Sequence, residues 1–137
     1  MPRLLLLTLD FPPRRGGVAR YLDALALYFR DSITVVAPPE PGSEAFDAIC
    51  GYPVSRRMLM RRWSYPRWSP MIWELNWRKN DYDIAIESHV LPAGVAALTV
   101  RLFTGRPYVV IVHGMDIGLA ARNPWKPCPF PWRPSTT

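Results

Sequence analysis

The sequence predicts an α/β fold in which helices flank a parallel sheet. Short apolar runs of strand length alternate along the chain with segments of helical periodicity. Strand, helix and strand at these intervals favour right-handed crossovers, which build parallel sheets. The chain has 137 residues, of which 49% are hydrophobic and 20% charged. This size and composition suit a single globular domain rather than two domains or a disordered chain.

The first half of the chain predicts two central strands with a helix between them. Nearly unbroken leucines over residues 3–11 fit a strand that is covered on both faces of the sheet. Apolar residues recur at helical spacing over residues 18–29, which predicts the first helix. Ile33–Ala37 is a second buried strand that a pair of prolines ends, and a polar loop continues through Ser43. A short third strand is expected within residues 53–60.

The second half repeats this alternation of helices and strands. A serine followed by proline predicts the start of a helix over residues 69–79. Residues 83–87 form the fourth strand, and residues 93–104 form a helix of small residues that a glycine ends. The fifth strand covers residues 108–112. Since strands and helices alternate in this way, a parallel sheet is expected.

Polar residues follow three of these strands. Asp10 lies at the end of the first strand, Glu87-Ser88-His89 at the end of the fourth, and residues 113–116 after the fifth. The carboxyl ends of parallel strands meet at one edge of the sheet, where ligands of such folds bind. The candidate functional residues are therefore expected on one rim.

The turn between the first strand and the first helix is rigid, basic and rich in glycine. Pro12 and Pro13 restrict the backbone, whereas Gly16 and Gly17 lack a Cβ and leave the amides at the helix N-terminus accessible. Three arginines add positive charge here: Arg14, Arg15 and Arg20. The pattern favours binding of a phosphate or carboxylate. The alternative is that the glycines only allow the helix to pack closely on the sheet.

Cysteine usage and hydropathy indicate the compartment. Cys50 and Cys128 match no zinc or redox spacing, so free thiols in the cytosol are expected, and no metal site is predicted. The apolar N-terminus reads as a buried strand rather than a signal peptide, because it lacks a small-residue cleavage site. No apolar stretch reaches the roughly 18 residues of a membrane span.

The positive charge is concentrated in one segment, from Arg56 to Lys79. Residues 55–79 hold seven basic residues, one acidic residue and four of the six tryptophans. Our first interpretation is that the tryptophans pack on the sheet and the arginines are solvated. The second is peripheral attachment to an anionic membrane surface, which suits both residue types. Nucleic acid could use the same residues by stacking and phosphate contacts, but it is not the partner that we expect.

The C-terminal residues differ in composition from the rest. Five prolines occur in the last fourteen residues, which excludes a helix there. We expect a domain over residues 1–126 and a proline-rich, irregular tail over residues 127–137. The abrupt change favours a chain that ended early, by truncation or frameshift.

Three motifs occur in a fixed order: Phe11-Pro12-Pro13 with Gly16-Gly17-Val18 and Tyr21, then Leu91-Pro92-Ala93-Gly94, then Pro107 through His113-Gly114-Met115-Asp116. Together, over about residues 3–126, they resemble the N-terminal domain of family-4 glycosyltransferases. The resemblance implies a Rossmann-like sheet. Such proteins have two Rossmann-like domains that face a cleft, the first mostly for the acceptor and the second for the nucleotide-sugar. The second domain has no counterpart in this sequence.

The resemblance implies transfer of a sugar from a nucleotide-sugar to a sugar or lipid-linked acceptor, with retained configuration. It implies a nucleotide-sugar co-substrate and neither a cofactor nor a metal. Gly16 and Gly17 would approach the donor diphosphate or an acceptor phosphate, and His113 would lie beside the transferred sugar. Asp116 belongs to the same motif and would shape the loop or bind a hydroxyl. His89 could contact the acceptor, although a histidine before a helix is also an ordinary surface residue.

Several other classes are excluded. No serine lies in a nucleophile elbow, and the glycine turn lacks both the Walker lysine and the dinucleotide-binding fingerprint. We expect an acceptor domain that is inactive as an isolated chain: either a separate donor-domain chain completes the cleft, or the protein is a non-functional remnant. The rivals are a non-catalytic module that binds anions, and an adaptor at the membrane surface. The sequence selects neither the sugar nor the acceptor.

Overall fold

The computed structural model describes residues 1–63 and 65–114. Five strands are present in this part of the chain: β1 (Leu4–Leu7), β2 (Ile33–Ala37), β3 (Val54–Arg56), β4 (Ile84–Glu87) and β5 (Tyr108–Val110). They form one sheet in the order β3-β2-β1-β4-β5, and every neighbouring pair is parallel. The predicted α/β class and parallel sheet are confirmed.

Four helices connect the strands: α1 (Gly17–Tyr28), α2 (Ser43–Asp47), α3 (Ser69–Trp77) and α4 (Val95–Thr104). A kinked turn over Val90–Gly94 leads from β4 into α4. Gly105 ends α4 in the left-handed conformation, with a φ of 71°, and its N–H donates to the carbonyl of Arg101 at 2.8 Å. No helix in the described ranges is long and apolar enough to cross a membrane.

The central strand β1 explains the leucine run. Its side chains alternate, so that Leu4 and Leu6 pack with α1 on one face of the sheet, while Leu5 and Leu7 pack with α3 and α4 on the other. β1 lies between β2 and β4 in the sheet, and because helices cover both of its faces, all four leucines are buried. The sheet therefore has two apolar cores, one on each face.

Some predicted boundaries were wrong for identifiable reasons. The first strand ends at Leu7 rather than at residue 11, because the Thr8 hydroxyl donates to the Asp10 carbonyl and accepts the Asp10 N–H, both at 3.1 Å. These bonds turn the chain. Helix α2 was not predicted; Phe46 anchors it by packing edge-on against Phe11, with ring centroids 6.1 Å apart.

The expected packing of tryptophans on the sheet was wrong for most of the charged segment. On α3, Met71 and Leu75 occupy the buried stripe, one helical turn apart. Trp73 and Trp77 lie on the opposite side of the helix and are exposed, as is Trp63 in the preceding loop. Trp68 alone of the four packs against the core. The predicted boundary at residue 126 and the tail lie outside the described residues.

Candidate functional site

The adjacent carboxyl ends of β1 and β4 are joined by buried side chains. The Ser88 hydroxyl donates to the Thr8 hydroxyl over 2.7 Å, and both residues are almost fully buried. The two residues are 80 positions apart in the sequence. This bond holds the turn after β1 against the turn after β4, and so fixes the backbone from which the polar residues of the rim project.

His89 lies between Ser88 and Asp10. Its Nδ1 is 2.8 Å from the Ser88 hydroxyl, and its Nε2 is 3.3 Å from Oδ2 of Asp10. The other Asp10 oxygen forms an ion pair with the Arg14 guanidinium, with a nitrogen–oxygen distance of 2.9 Å. Asp10 therefore links the start of the glycine turn to the end of β4 and neutralises part of the Arg14 charge.

His113 follows β5 on the same rim. Its ring centroid lies 5.8 Å from that of His89 and 6.3 Å from that of Tyr21, which meets it edge-on. Tyr21 belongs to the second turn of α1, so this contact places the N-terminal part of α1 beside His113. The structure thus brings the glycine turn, His89 and His113 to one edge of the sheet.

Gly16 and Gly17 are exposed at the N-terminus of α1. A Cβ built on either glycine would meet no heavy atom of the described chain within 4 Å. No side chain in the described ranges caps α1, and its first turn holds no acidic residue. At Gly94, by contrast, a Cβ would lie 3.4 Å from the Val110 side chain. Close packing therefore accounts for Gly94 but not for Gly16 and Gly17.

The remaining candidates have different positions. Arg15 and Arg20 are exposed beside the glycines and form no ion pair with any described residue, so their charge adds to the field there. Glu87 is wholly buried on the face of the sheet that packs against α4, so its side chain cannot contact a substrate bound at the rim. Asp116 lies outside the described residues.

The sequence Ser88-His89 beside Asp10 has the residue types of a hydrolytic triad but cannot act as one. Ser88 is fully buried and its hydroxyl proton is directed to Thr8, so no substrate carbonyl can reach it. The arrangement instead orients the imidazole of His89. Sequence reasoning placed Asp10 on the rim but missed its pairing with His89, and it gave Tyr21 no place in the site.

The fold and rim define an α/β domain of the Rossmann-like type with an exposed helix N-terminus that no described side chain caps. The sequence profile of Glycosyltransferase Family 4 matches residues 15–136. The chain belongs to glycosyltransferase family 4, which confirms the resemblance drawn from the three motifs.

Named relatives agree with this assignment. The chain is 32% identical over 124 residues to a GDP-mannose-dependent alpha-(1-6)-phosphatidylinositol monomannoside mannosyltransferase of Mycolicibacterium smegmatis. The match covers 84% of this chain and 31% of that protein. A Mycobacterium tuberculosis protein of the same name is 44% identical over 63 residues, which are 41% of this chain and 16% of that protein. The chain thus spans under a third of either relative.

A solved structure shares the fold. Anabaena HepE, crystallised with UDP and glucose, superposes with a TM-score of 0.61 at 19% identity. The superposition covers 80% of this chain and 29% of HepE. At this identity the likeness supports the fold alone.

Proposed function

We propose that this chain forms the acceptor-side half of a glycosyltransferase that moves a sugar from a nucleotide-sugar to an acceptor. One observation carries the proposal. The uncapped N-terminus of α1, with open space at Gly16 and Gly17, lies on the same rim as His113. A site for this reaction needs an anion-binding group next to a residue that can hydrogen-bond the sugar, and this rim supplies both.

The glycines and arginines act on phosphate charge. Breaking the bond between sugar and diphosphate develops negative charge on the leaving group, which preorganised amides and a helix N-terminus stabilise. Gly16 and Gly17 leave room for that approach, and Arg15 adds charge of the required sign. An acceptor phosphate would be bound by the same groups.

The two histidines act on hydroxyl groups. His113 donates a hydrogen bond to the sugar being transferred or holds a proton beside it. His89, oriented by Asp10 and Ser88, contacts the acceptor. The ring centroids of the two histidines are 5.8 Å apart, which supports contact of both side chains with the same bound substrate.

The relatives suggest the substrates. The mycobacterial proteins are named for GDP-mannose as donor and a phosphatidylinositol mannoside as acceptor. We propose that this chain also takes part in a reaction with a nucleotide-sugar, for which GDP-mannose is the first candidate, and a lipid-linked acceptor. The proposed reaction requires neither a metal nor a cofactor. The donor is held by a further donor-binding domain or a separate chain. A half-site that grips one substrate forfeits most of the roughly 7 to 11 kcal/mol that positioning supplies.

Two measurements test the proposal. Calorimetry with inorganic pyrophosphate is expected to show binding to the purified chain, and Gly17→Val is expected to weaken it about tenfold or more by occupying the open space. Ala45→Val, which adds the same kind of bulk to an exposed site on α2, is the matched control and leaves binding unchanged. Equal effects of both variants would contradict the role of the glycine turn.

Radiolabelled transfer from GDP-mannose distinguishes the two candidate functions. Transfer is measured with the chain alone and with an added donor-binding domain. Turnover under either condition that is abolished by His113→Ala supports the function as an enzyme. The second candidate is a non-catalytic module that binds anions through the same rim, which the open helix N-terminus also favours. Pyrophosphate binding without turnover under either condition supports that module. Absence of both binding and turnover overturns both.

A further inference from the structure

We propose that the face of the molecule formed by α3, α4 and the loop before α3 binds the surface of an anionic lipid bilayer. This arginine–tryptophan surface is defined by Arg61, Arg62, Trp63, Trp73, Trp77 and Phe103. It is distinct from the rim that holds the histidines.

The aromatic residues of this face are unusually exposed. Trp73 and Trp77 are 65% and 75% exposed, and their rings stack with an interplanar angle of 17°. Phe103 on α4 is 84% exposed. Soluble proteins rarely leave large aromatic groups clustered in water, and tryptophan is enriched where a protein meets the lipid headgroups. The stacked pair is therefore a candidate membrane contact.

The exposed groups form one continuous surface. Trp73 and Phe103 line a shared hollow of about 330 Å³ between α3 and α4. On its other side, Trp73 lines a hollow of about 820 Å³ together with Met58 and Arg61. Trp73 is thus the ridge between two depressions: the smaller is lined mainly by apolar groups that can accept acyl chains, and the larger is lined mainly by polar and charged groups, with arginines that can contact headgroups.

The loop before α3 extends this surface. The Arg61 N–H donates to the Arg67 carbonyl at 2.9 Å and closes the loop at its base. Trp63 inside the loop is 96% exposed. A closed loop that presents an aromatic side chain next to arginines is suited to insertion between headgroups.

The charge of this face is largely uncompensated. Arg56 is neutralised by Asp47, with one nitrogen–oxygen contact of 2.7 Å, and Arg78 by Glu74 at 3.1 Å. In the described ranges, three arginines of the loop form no ion pair: Arg61, Arg62 and Arg67. The arginines that stabilise the fold are therefore separate from those that remain available. The positive charge of the unpaired arginines favours binding to anionic over zwitterionic lipid.

The surface borders the proposed substrate rim. Arg56 lines the larger hollow and also donates to the Pro12 carbonyl of the glycine turn at 2.6 Å. A lipid-linked acceptor in a membrane bound to this face would approach the rim from that side. This positional argument rests on the proposed function, whereas membrane binding itself does not require it.

Sedimentation with vesicles tests the inference. The purified chain is expected to bind vesicles of phosphatidylcholine mixed with phosphatidylglycerol, to bind phosphatidylcholine alone far more weakly, and to dissociate as salt is added. Arg61→Glu is expected to weaken binding about fivefold or more, since each basic residue near an anionic surface has about that effect. Trp77→Ala is expected to weaken it by a similar factor.

Two variants on the other side of the sheet are matched controls. Arg30→Glu makes the same charge change and Tyr28→Ala the same kind of aromatic truncation, both near the end of α1, and both are expected to bind as the unmodified chain does. Failure to bind anionic vesicles at low salt overturns the inference. An equal loss of vesicle binding in the test and control variants also overturns the inference. Self-association of the chain that is abolished by Trp77→Ala overturns it as well, because the surface would then bind a second copy of the chain.

The outcome is separable from that of the proposed function. Pyrophosphate binding is measured without lipid, and vesicle binding without nucleotide-sugar. Loss of vesicle binding in Arg61→Glu with intact pyrophosphate binding supports both proposals. Vesicle binding with no pyrophosphate binding leaves the membrane surface supported and overturns the assignment of the glycine turn.

Discussion

Glu87 is a carboxyl group buried without compensation. It lies at the last position of β4, beside Leu7 of β1, with no exposed surface. Neither carboxyl oxygen has a hydrogen-bond partner among the described residues. Because burial penalises the charged form, the pKa of Glu87 is raised well above its usual value. We predict that Glu87→Gln stabilises the fold at neutral pH.

The magnitude follows from proton linkage. In the unfolded chain a glutamate titrates near ~4.3, whereas the folded chain retains the Glu87 proton to higher pH. Between the pKa of Glu87 in the unfolded chain and its raised pKa in the folded chain, the folded state binds one proton more than the unfolded state. The free energy of unfolding therefore falls as pH rises, by about 1.4 kcal/mol per pH unit. The full stability is present below the unfolded-state pKa. Glu87→Gln cannot ionise, so this loss is absent from the variant.

Urea unfolding followed by tryptophan fluorescence measures the difference. As the pH rises from about 4.5, the difference in unfolding free energy between Glu87→Gln and the unmodified chain is expected to grow from near zero until the pH passes the raised pKa of Glu87 in the folded chain. Glu44→Gln, at an exposed site on α2, is the control and should follow the pH profile of the unmodified chain. Parallel profiles for Glu87→Gln and the unmodified chain would refute the reasoning.

Two further substitutions test the fold around the site. Arg56→Ala leaves the partly buried carboxylate of Asp47 unpaired and is expected to cost about 3 to 5 kcal/mol, measured by urea unfolding; a loss below about 1 kcal/mol would show that the pair is solvent-screened. Ser88→Ala removes the bond to Thr8 and is expected to cost about 1 to 3 kcal/mol. Ser88→Ala should also change the imidazole NMR signals of His89, and unchanged signals would contradict the role of Ser88 in orienting that ring.

The fold was predictable to the extent that its patterns are local. The leucine run predicted a central strand, and Ile33–Ala37 was predicted to the residue. Helix α2 escaped prediction because a five-residue helix has little periodicity, and its anchor is a contact between Phe46 and Phe11 that is distant in sequence. The orientation of α3 was misjudged because tryptophans and buried aliphatic residues have the same spacing on that helix.

The site was predictable in its location but less so in its bonding. Strand ends and motif order indicated a rim that contains the glycine turn, His89 and His113. The pairing of His89 with Asp10, and the contact of Tyr21 with His113, depend on distances between separate loops. Residue types alone could not show that Gly16 and Gly17 border open space, since packing glycines such as Gly94 look the same in sequence.

By itself, the sequence determined the order and type of most elements, the family and the edge of the sheet where polar residues gather, because these depend on periodicity, turn residues and motif spacing. The tertiary structure decided which side chains meet. The insertion of β1 between β2 and β4 joins Thr8 to Ser88 across 80 residues, and the burial of one stripe of α3 leaves its tryptophans in solvent. Burial and pairing across such distances are properties of the packed chain, since each depends on neighbours that no local pattern specifies.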